Sequence, residues 1–187
     1  MRTLLQCGIA LVLLLGWGER AGAQAFENAR VVTLRVGMLI PSGDMSKVFG
    51  PGVLGRANLR LPVSQGTSVG IESGIYAPNA KSGNATLYQI PVRVLMYFPV
   101  ASEGSSSPYF AVGPGVTFNS ISGNGKSGSS KNPDPYFTYA LKLGWAFRPE
   151  HMASTLFEIG GRFEQQFVPE SPDFQTFDVD VSVGRTF

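Results

Sequence analysis

The chain has 187 residues, of which only 15% are charged, and a formal net charge of +2. That balance offers no basic surface for a nucleic-acid partner, and a single cysteine excludes a disulfide-stapled scaffold. The 23 glycines and 13 phenylalanines point instead to an aromatic, turn-rich, all-β chain.

Residues 1–25 read as a secretory signal peptide. A basic start (MRTLLQC) leads into the apolar run from Gly8 to Trp17, and GERAGAQA then offers small-residue cleavage sites after Ala23 or Ala25. A run of roughly ten apolar residues is too short to span a bilayer as a helix, which argues against an uncleaved anchor. Cys7 precedes the run and leaves with it. Residues 26–187 form the predicted mature domain, with no cysteine and, once Arg2, Arg20 and Glu19 are removed, a net charge of +1.

Eight segments of the mature chain alternate apolar and polar residues, bounded by Gly, Pro, Ser and Asn clusters: 30–40, 53–62, 67–77, 86–98, 108–119, 136–148, 154–167 and 174–187. Most have the ~9–11 residues of a tilted membrane-crossing strand, and no segment reaches the ~18 apolar residues of a membrane helix. A membrane form of this chain is therefore a barrel. The connections at 42–51, 78–85, 120–135 and 168–175 look long, the intervening ones mostly tighter, as in an up-and-down barrel with external loops and periplasmic turns.

Period two divides each strand into faces. In the fourth, Tyr88, Ile90, Val92, Val94, Met96 and Phe98 share one side; in the sixth, Phe137, Tyr139, Leu141, Leu143, Trp145 and Phe147 do. Aromatics collect near both strand ends on these sides, as girdles around a lipid-facing band do. The other faces hold Arg35, Arg56, Arg60, Arg93, Lys142, Arg148 and Arg162 against Glu72, Glu158, Glu164, Asp178 and Asp180. Inside a narrow eight-stranded barrel such charges must pair or stay hydrated, because each ion alone costs several kcal/mol. The expectation is a salt-bridged, largely plugged, polar lumen. Pro91 and Pro114 fall mid-strand, where each predicts a bulge or a locally broken pairing.

With its signal peptide, its first-strand exit GMLIPSGDM (37–45), its fourth strand LYQIPVRVLMYF (87–98) and the final Phe187, the chain resembles the small outer-membrane β-barrel family of OmpX-like proteins, OmpA-like transmembrane domains and related porin-family barrels. The resemblance implies an all-β, eight-stranded antiparallel up-and-down transmembrane barrel in the outer membrane of a Gram-negative bacterium, in contact with outer-membrane lipid. It also implies that Phe187 on the last strand is the signal read by the outer-membrane assembly machinery. Family members often carry Tyr two residues before that Phe; Arg185 stands there here. No peptidoglycan-binding domain follows, so a cell-wall tether is not implied.

Catalytic signals are weak. The one histidine, His151 in PEHMA, falls in a predicted periplasmic turn, away from the outer leaflet where lipid-modifying barrels use theirs. GKS in SGNGKSGSS lacks the strand-to-helix context of a phosphate loop, Asn84-Ala-Thr86 fits a glycosylation pattern by chance, and Asp44, Glu170 and Asp173 make no calcium loop. No metal or cofactor is expected. The leading reading is a non-enzymatic barrel whose external loops make structural or surface contacts (adhesion or binding) with an unidentified extracellular partner. Alternatives are a narrow channel or uptake barrel for small solutes, an outer-leaflet lipid-modifying enzyme, and a soluble barrel for a lipophilic ligand.

Overall fold

The computed structural model describes residues 29–64, 66–81, 85–100, 106–123, 134–152, 154–168 and 171–187. The signal segment 1–25, the GKS of the third predicted loop and Asn84 lie outside these residues. Eight strands, β1 (Val31–Gly43), β2 (Phe49–Ser64), β3 (Thr67–Ala80), β4 (Ala85–Pro99), β5 (Ser106–Gly123), β6 (Asp134–Phe147), β7 (Thr155–Val168) and β8 (Ser171–Thr186), close into one antiparallel barrel in chain order. Closure pairs β1 with β8 from Val31↔Thr186 to Gly43↔Phe174. A four-residue helix, α1 (Met45–Val48), sits between β1 and β2, and a 3₁₀ turn, Glu150–Met152, between β6 and β7. The two mouths of the barrel are named here for α1 and for Phe187.

The alternation read from the sequence is the alternation of the wall. Along β1, Val31, Thr33, Arg35 and Leu39 are buried inside while Val32, Leu34, Val36, Met38 and Ile40 stand exposed outside. On β4 and β6 the outward residues named above are exposed in the same way, Phe98 partly. Outward Phe110 is covered by its neighbours and stacks on Phe98, with ring centroids 4.8 Å apart. The outer face is thus apolar around the barrel, and α1 is far too short to cover it. A sheet normally buries its apolar face against another layer; among the described residues there is none.

The apolar band has edges. Beyond Ile40, Phe177 and Phe163 on the outer face, Ser42, Gln175 and Gln165 join side chains at 3.4 and 2.8 Å. Toward the other mouth, the outward series Phe177, Val179, Val181, Val183 is interrupted by Arg185 before the exposed ring of Phe187.

Two expectations need correction. The strands run further into the connections than their composition suggested: β5 continues to Gly123, β3 to Ala80, and β8 begins at Ser171. Much of the predicted loops 78–85, 120–135 and 168–175 is ladder, because an antiparallel hairpin continues while both arms offer bonding groups, whatever its side chains. The alternation of long and short connections is lost with it: β7 and β8 are separated by 169–170 alone, while 148–154 joins β6 to β7. The first predicted loop, 42–51, contains α1, held by a Lys47–Asp44 ion pair at 2.6 Å and by the Ser46 hydroxyl donating to the Gly43 carbonyl at 2.8 Å.

The mid-strand prolines break pairing on one side each, without a register shift. Pro91 pairs with Thr117 of β5, but β3–β4 pairing lapses between Ser73↔Val92 and Tyr76↔Gln89. Pro114 pairs with Tyr139 of β6, while β4–β5 pairing lapses between Arg93↔Gly115 and Met96↔Val112. A proline cannot donate to the ladder, so the gap falls where its N–H is missing.

Candidate functional site

Among the described residues, the lumen is where the fold gathers chemistry-bearing side chains. Arg35, Arg56, Arg60, Glu72, Arg93, Lys142, Glu158, Arg162, Glu164, Asp178 and Asp180, from every strand but β5, turn inward and are buried. Each of these seven strands contributes one to three of them, most near mid-height, so they meet as a layer.

Glu72 stands at its centre. It accepts both guanidinium prongs of Arg162, the Nη2–Oε2 contact being 2.7 Å, and takes a further contact from Arg93 Nη1 at 3.4 Å. Arg93 also pairs with Glu164 and donates to the Tyr76 hydroxyl at 2.6 Å. Arg56 grips Asp178 with two prongs at 2.7 and 3.0 Å and reaches Asp180 at 2.6 Å. Asp180 accepts from Lys142 Nζ at 2.8 Å through both oxygens, and lies 3.4 Å from Arg35. Arg35 turns to Glu158 at 2.6 Å, where Arg60 and the Ser182 hydroxyl also donate. Charge-assisted, two-pronged pairs of this kind are the geometry that offsets the desolvation of buried ions.

The sequence pointed to a polar lumen, and apolar clusters occupy part of it on either side of the charges. Toward the α1 mouth, Leu39, Met45, Phe49, Leu54, Tyr76 and Leu87 form a buried apolar cluster with Phe174 against it. Met45 hangs from α1 into that cluster. Toward the Phe187 mouth, Val31, Leu95, Tyr97, Tyr109, Ala111, Ala140, Ala146 and Leu156 form a second one. The ion layer lies between them, with Arg60 reaching into the second cluster toward the Phe187 mouth. Above it, Gln89 bridges Asn119 and Gln166 at 3.0 and 3.2 Å.

Sequence reasoning concentrated on formal charges and missed Tyr76, Tyr97, Tyr109, Gln89 and Thr117. Alternation carried them all: Tyr76 is in phase with Glu72, and Gln89 and Tyr97 with Arg93. The tyrosines matter because they border the guanidinium groups, Tyr76 beneath Arg56 and Arg93 at 5.5 and 5.4 Å, Tyr97 beneath Arg60 at 4.8 Å. Arg148 follows β6, half-buried near the Phe187 mouth.

His151 is exposed in the 3₁₀ turn at the same mouth. Among the described residues no cluster of His, Cys, Asp and Glu could hold a metal ion.

No protein-family model matches the chain, and no curated protein matches its sequence. Solved structures do match. The crystal structure of Neisserial surface protein A superposes with a TM-score of 0.68 at 14% identity, over 86% of this chain and all of that one. The attachment invasion locus protein of Yersinia pestis superposes at 0.59 with 15% identity, over 87% and 100%. Outer membrane protein OprG from Pseudomonas aeruginosa follows at 0.56 and 12%, over 87% and 98%. The chain has the fold of the small outer-membrane β-barrels. At these identities the likeness speaks for the fold alone, which is also as far as the resemblance seen in the sequence is carried. The small-barrel fold accounts for the inward charges and outward apolar band together, since one wall has to serve an enclosed interior and an apolar exterior.

Proposed function

We propose that this protein is a non-enzymatic barrel of a bacterial outer membrane, exported through a cleaved signal peptide at residues 1–25, that anchors surface-exposed loops and conducts nothing through its body. One observation carries this reading: a buried ion layer between two apolar clusters. A conducting lumen needs a continuous wet path, and every inward charge here is turned to a neighbour. The outer band supports the membrane part. From Phe177 to Phe187, ten steps of ~3.3 Å tilted by ~40° give about 25 Å, the height of the apolar band of an outer-membrane barrel.

In the proposed orientation the α1 mouth faces outward and the Phe187 mouth faces the periplasm. The connections around 44–48, 81–84, 124–133 and 169–170 then offer the contact surface, since recognition tends to sit on loops held by a rigid scaffold. Neisserial surface protein A and the attachment invasion locus protein are named for the cell surface and for attachment; the same kind of role is proposed for these loops. Phe187 is proposed as the residue read by the assembly machinery.

Planar-bilayer recordings on the refolded protein test the central claim. No stable conductance is the expected result; reproducible open levels would replace this reading with a channel. Replacing the connections 81–84 and 124–133 by short turns should leave the barrel folded and abolish binding to host-cell or bacterial surfaces.

A further inference from the structure

Among the described residues the ion layer has six basic side chains, Arg35, Arg56, Arg60, Arg93, Lys142 and Arg162, facing five carboxylates, Glu72, Glu158, Glu164, Asp178 and Asp180, and all eleven are buried.

Its most accessible point is Arg60. At the Phe187 mouth a cavity of about 50 Å³ is lined by Arg60, Tyr97, Tyr109, Ser107, Thr67 and Ser68. One water needs roughly 10–15 Å³ of such space, so the cavity takes a small polyatomic group. Arg60 shares Glu158 with Arg35, which leaves that carboxylate serving two guanidinium groups. Arg60 Nε and the Tyr97 hydroxyl are buried and have no hydrogen-bond partner among the described residues. Tyr97 itself is 2% exposed and lies beneath the Arg60 guanidinium, with Tyr109 beyond it, the two rings 5.8 Å apart. A donor pair without acceptors, on a guanidinium that shares its carboxylate and beside three hydroxyl-bearing residues, describes the complement of an oxyanion.

We infer that this cavity is a binding site for one small oxyanion, a phosphate or carboxylate group, held by Arg60 and the Tyr97 hydroxyl. The ion gives these donors an acceptor at the mouth where it can enter from water.

The test uses the full mature chain refolded in a neutral maltoside detergent, titrated with inorganic phosphate and separately with acetate, with sodium chloride at matched ionic strength as the reference. The readout is the temperature at which the compact gel form is lost. Expected is a saturable rise with phosphate or acetate that chloride does not reproduce, absent in Arg60→Gln and at least threefold weaker in half-saturation for Tyr97→Phe. The second variant keeps the ring and its stacking, so it reports on the hydroxyl even if Arg60→Gln folds poorly. Short-chain phosphatidylglycerol that displaces phosphate would assign the site to a lipid headgroup, and failure to displace would assign it to the free ion; either supports the site. No saturable effect, or one unchanged in Tyr97→Phe, overturns it.

Discussion

Glu72 on β3 and Arg162 on β7 meet across the barrel axis, with Arg162 Nη2 2.7 Å from Oε2 and Nη1 on Oε1. The two strands lie four apart in an eight-strand circuit, so the pair joins opposite walls. Both side chains are fully enclosed. Removing the charge of Glu72 leaves Arg162 buried beside Arg93 and Arg56 with no central carboxylate. Glu72→Gln should lower the unfolding free energy by ~3–5 kcal/mol, as breaking a buried pair does. Replacing both partners, Glu72→Leu with Arg162→Met, should cost less than Glu72→Gln alone, because it removes one ion of each sign instead of stripping Arg162 of its main partner. Urea titration of the barrel in detergent measures both. A single substitution milder than the double would mean that water already solvates the layer.

Tyr109 and Gly144 are a second coupled pair. They are cross-strand neighbours in β5 and β6, and the Tyr109 ring lies over the glycine, so a Cβ at 144 would meet Tyr109 Cζ at 2.5 Å. Gly144→Ala should destabilise by ~1–3 kcal/mol through overpacking, and should become nearly neutral in a Tyr109→Ala background. Gly161 provides the control, since a Cβ there meets nothing closer than the Asp178 carbonyl oxygen at 3.7 Å. Equal costs at 144 and 161 would remove the ring from the explanation.

How much of this was legible in the sequence follows from what alternation encodes. Period two tells which face Glu72 or Arg93 is on, because a strand offers only two faces; of the twelve charges it puts on the inner face, eleven are buried and Arg148, just past the end of β6, is half-buried. It does not tell that Glu72 meets Arg162, 90 residues away. That contact depends on strand stagger and tilt around the closed circuit, which are properties of the whole barrel. Met45 was illegible for another reason. Its neighbours Asp44, Ser46 and Lys47 are those of a solvated loop, and its burial comes from α1 folding over the mouth onto Leu39 and Leu87. The apolar clusters were overlooked because Leu95, Tyr97 and Leu39 share a face with the charges, and the charges drew the whole interpretation of that face.

Val36 tests what surrounds the outer wall. It lies near the middle of β1, faces outward between Gly55 and Val181, and is 62% exposed. In a bilayer, Val36→Lys should cost ~2–4 kcal/mol, the range for a lysine near the midplane of a lipid-facing strand. On a water-facing wall the same change would stay within ~0.5 kcal/mol. Folding measured in phosphatidylcholine vesicles distinguishes the two, and a near-zero cost would count against the membrane placement.

Phe187 and Arg185 end the outward face of β8 in different ways. Phe187 is 67% exposed, and its backbone is bonded to Arg30 in both directions, at 3.0 and 3.3 Å. Deleting it would therefore remove two closing hydrogen bonds as well as a ring, so Phe187→Ala is the cleaner variant: it keeps the ladder and loses only the aromatic. Arg185 faces outward beside Val32 and Thr155, one step inside the edge of the band. A long basic side chain there can carry its charge to the interface, at a cost of ~0–1 kcal/mol. The assembly role proposed for Phe187 makes a specific ordering: the amount of heat-modifiable barrel recovered from the outer-membrane fraction should fall sharply in Phe187→Ala and change little in Arg185→Tyr, while both refold alike in detergent. The refolding arm separates recognition from stability, since a ring that matters only for packing would lower both yields together. A larger loss with Arg185→Tyr than with Phe187→Ala in the membrane fraction would move the signal from the ring to the guanidinium.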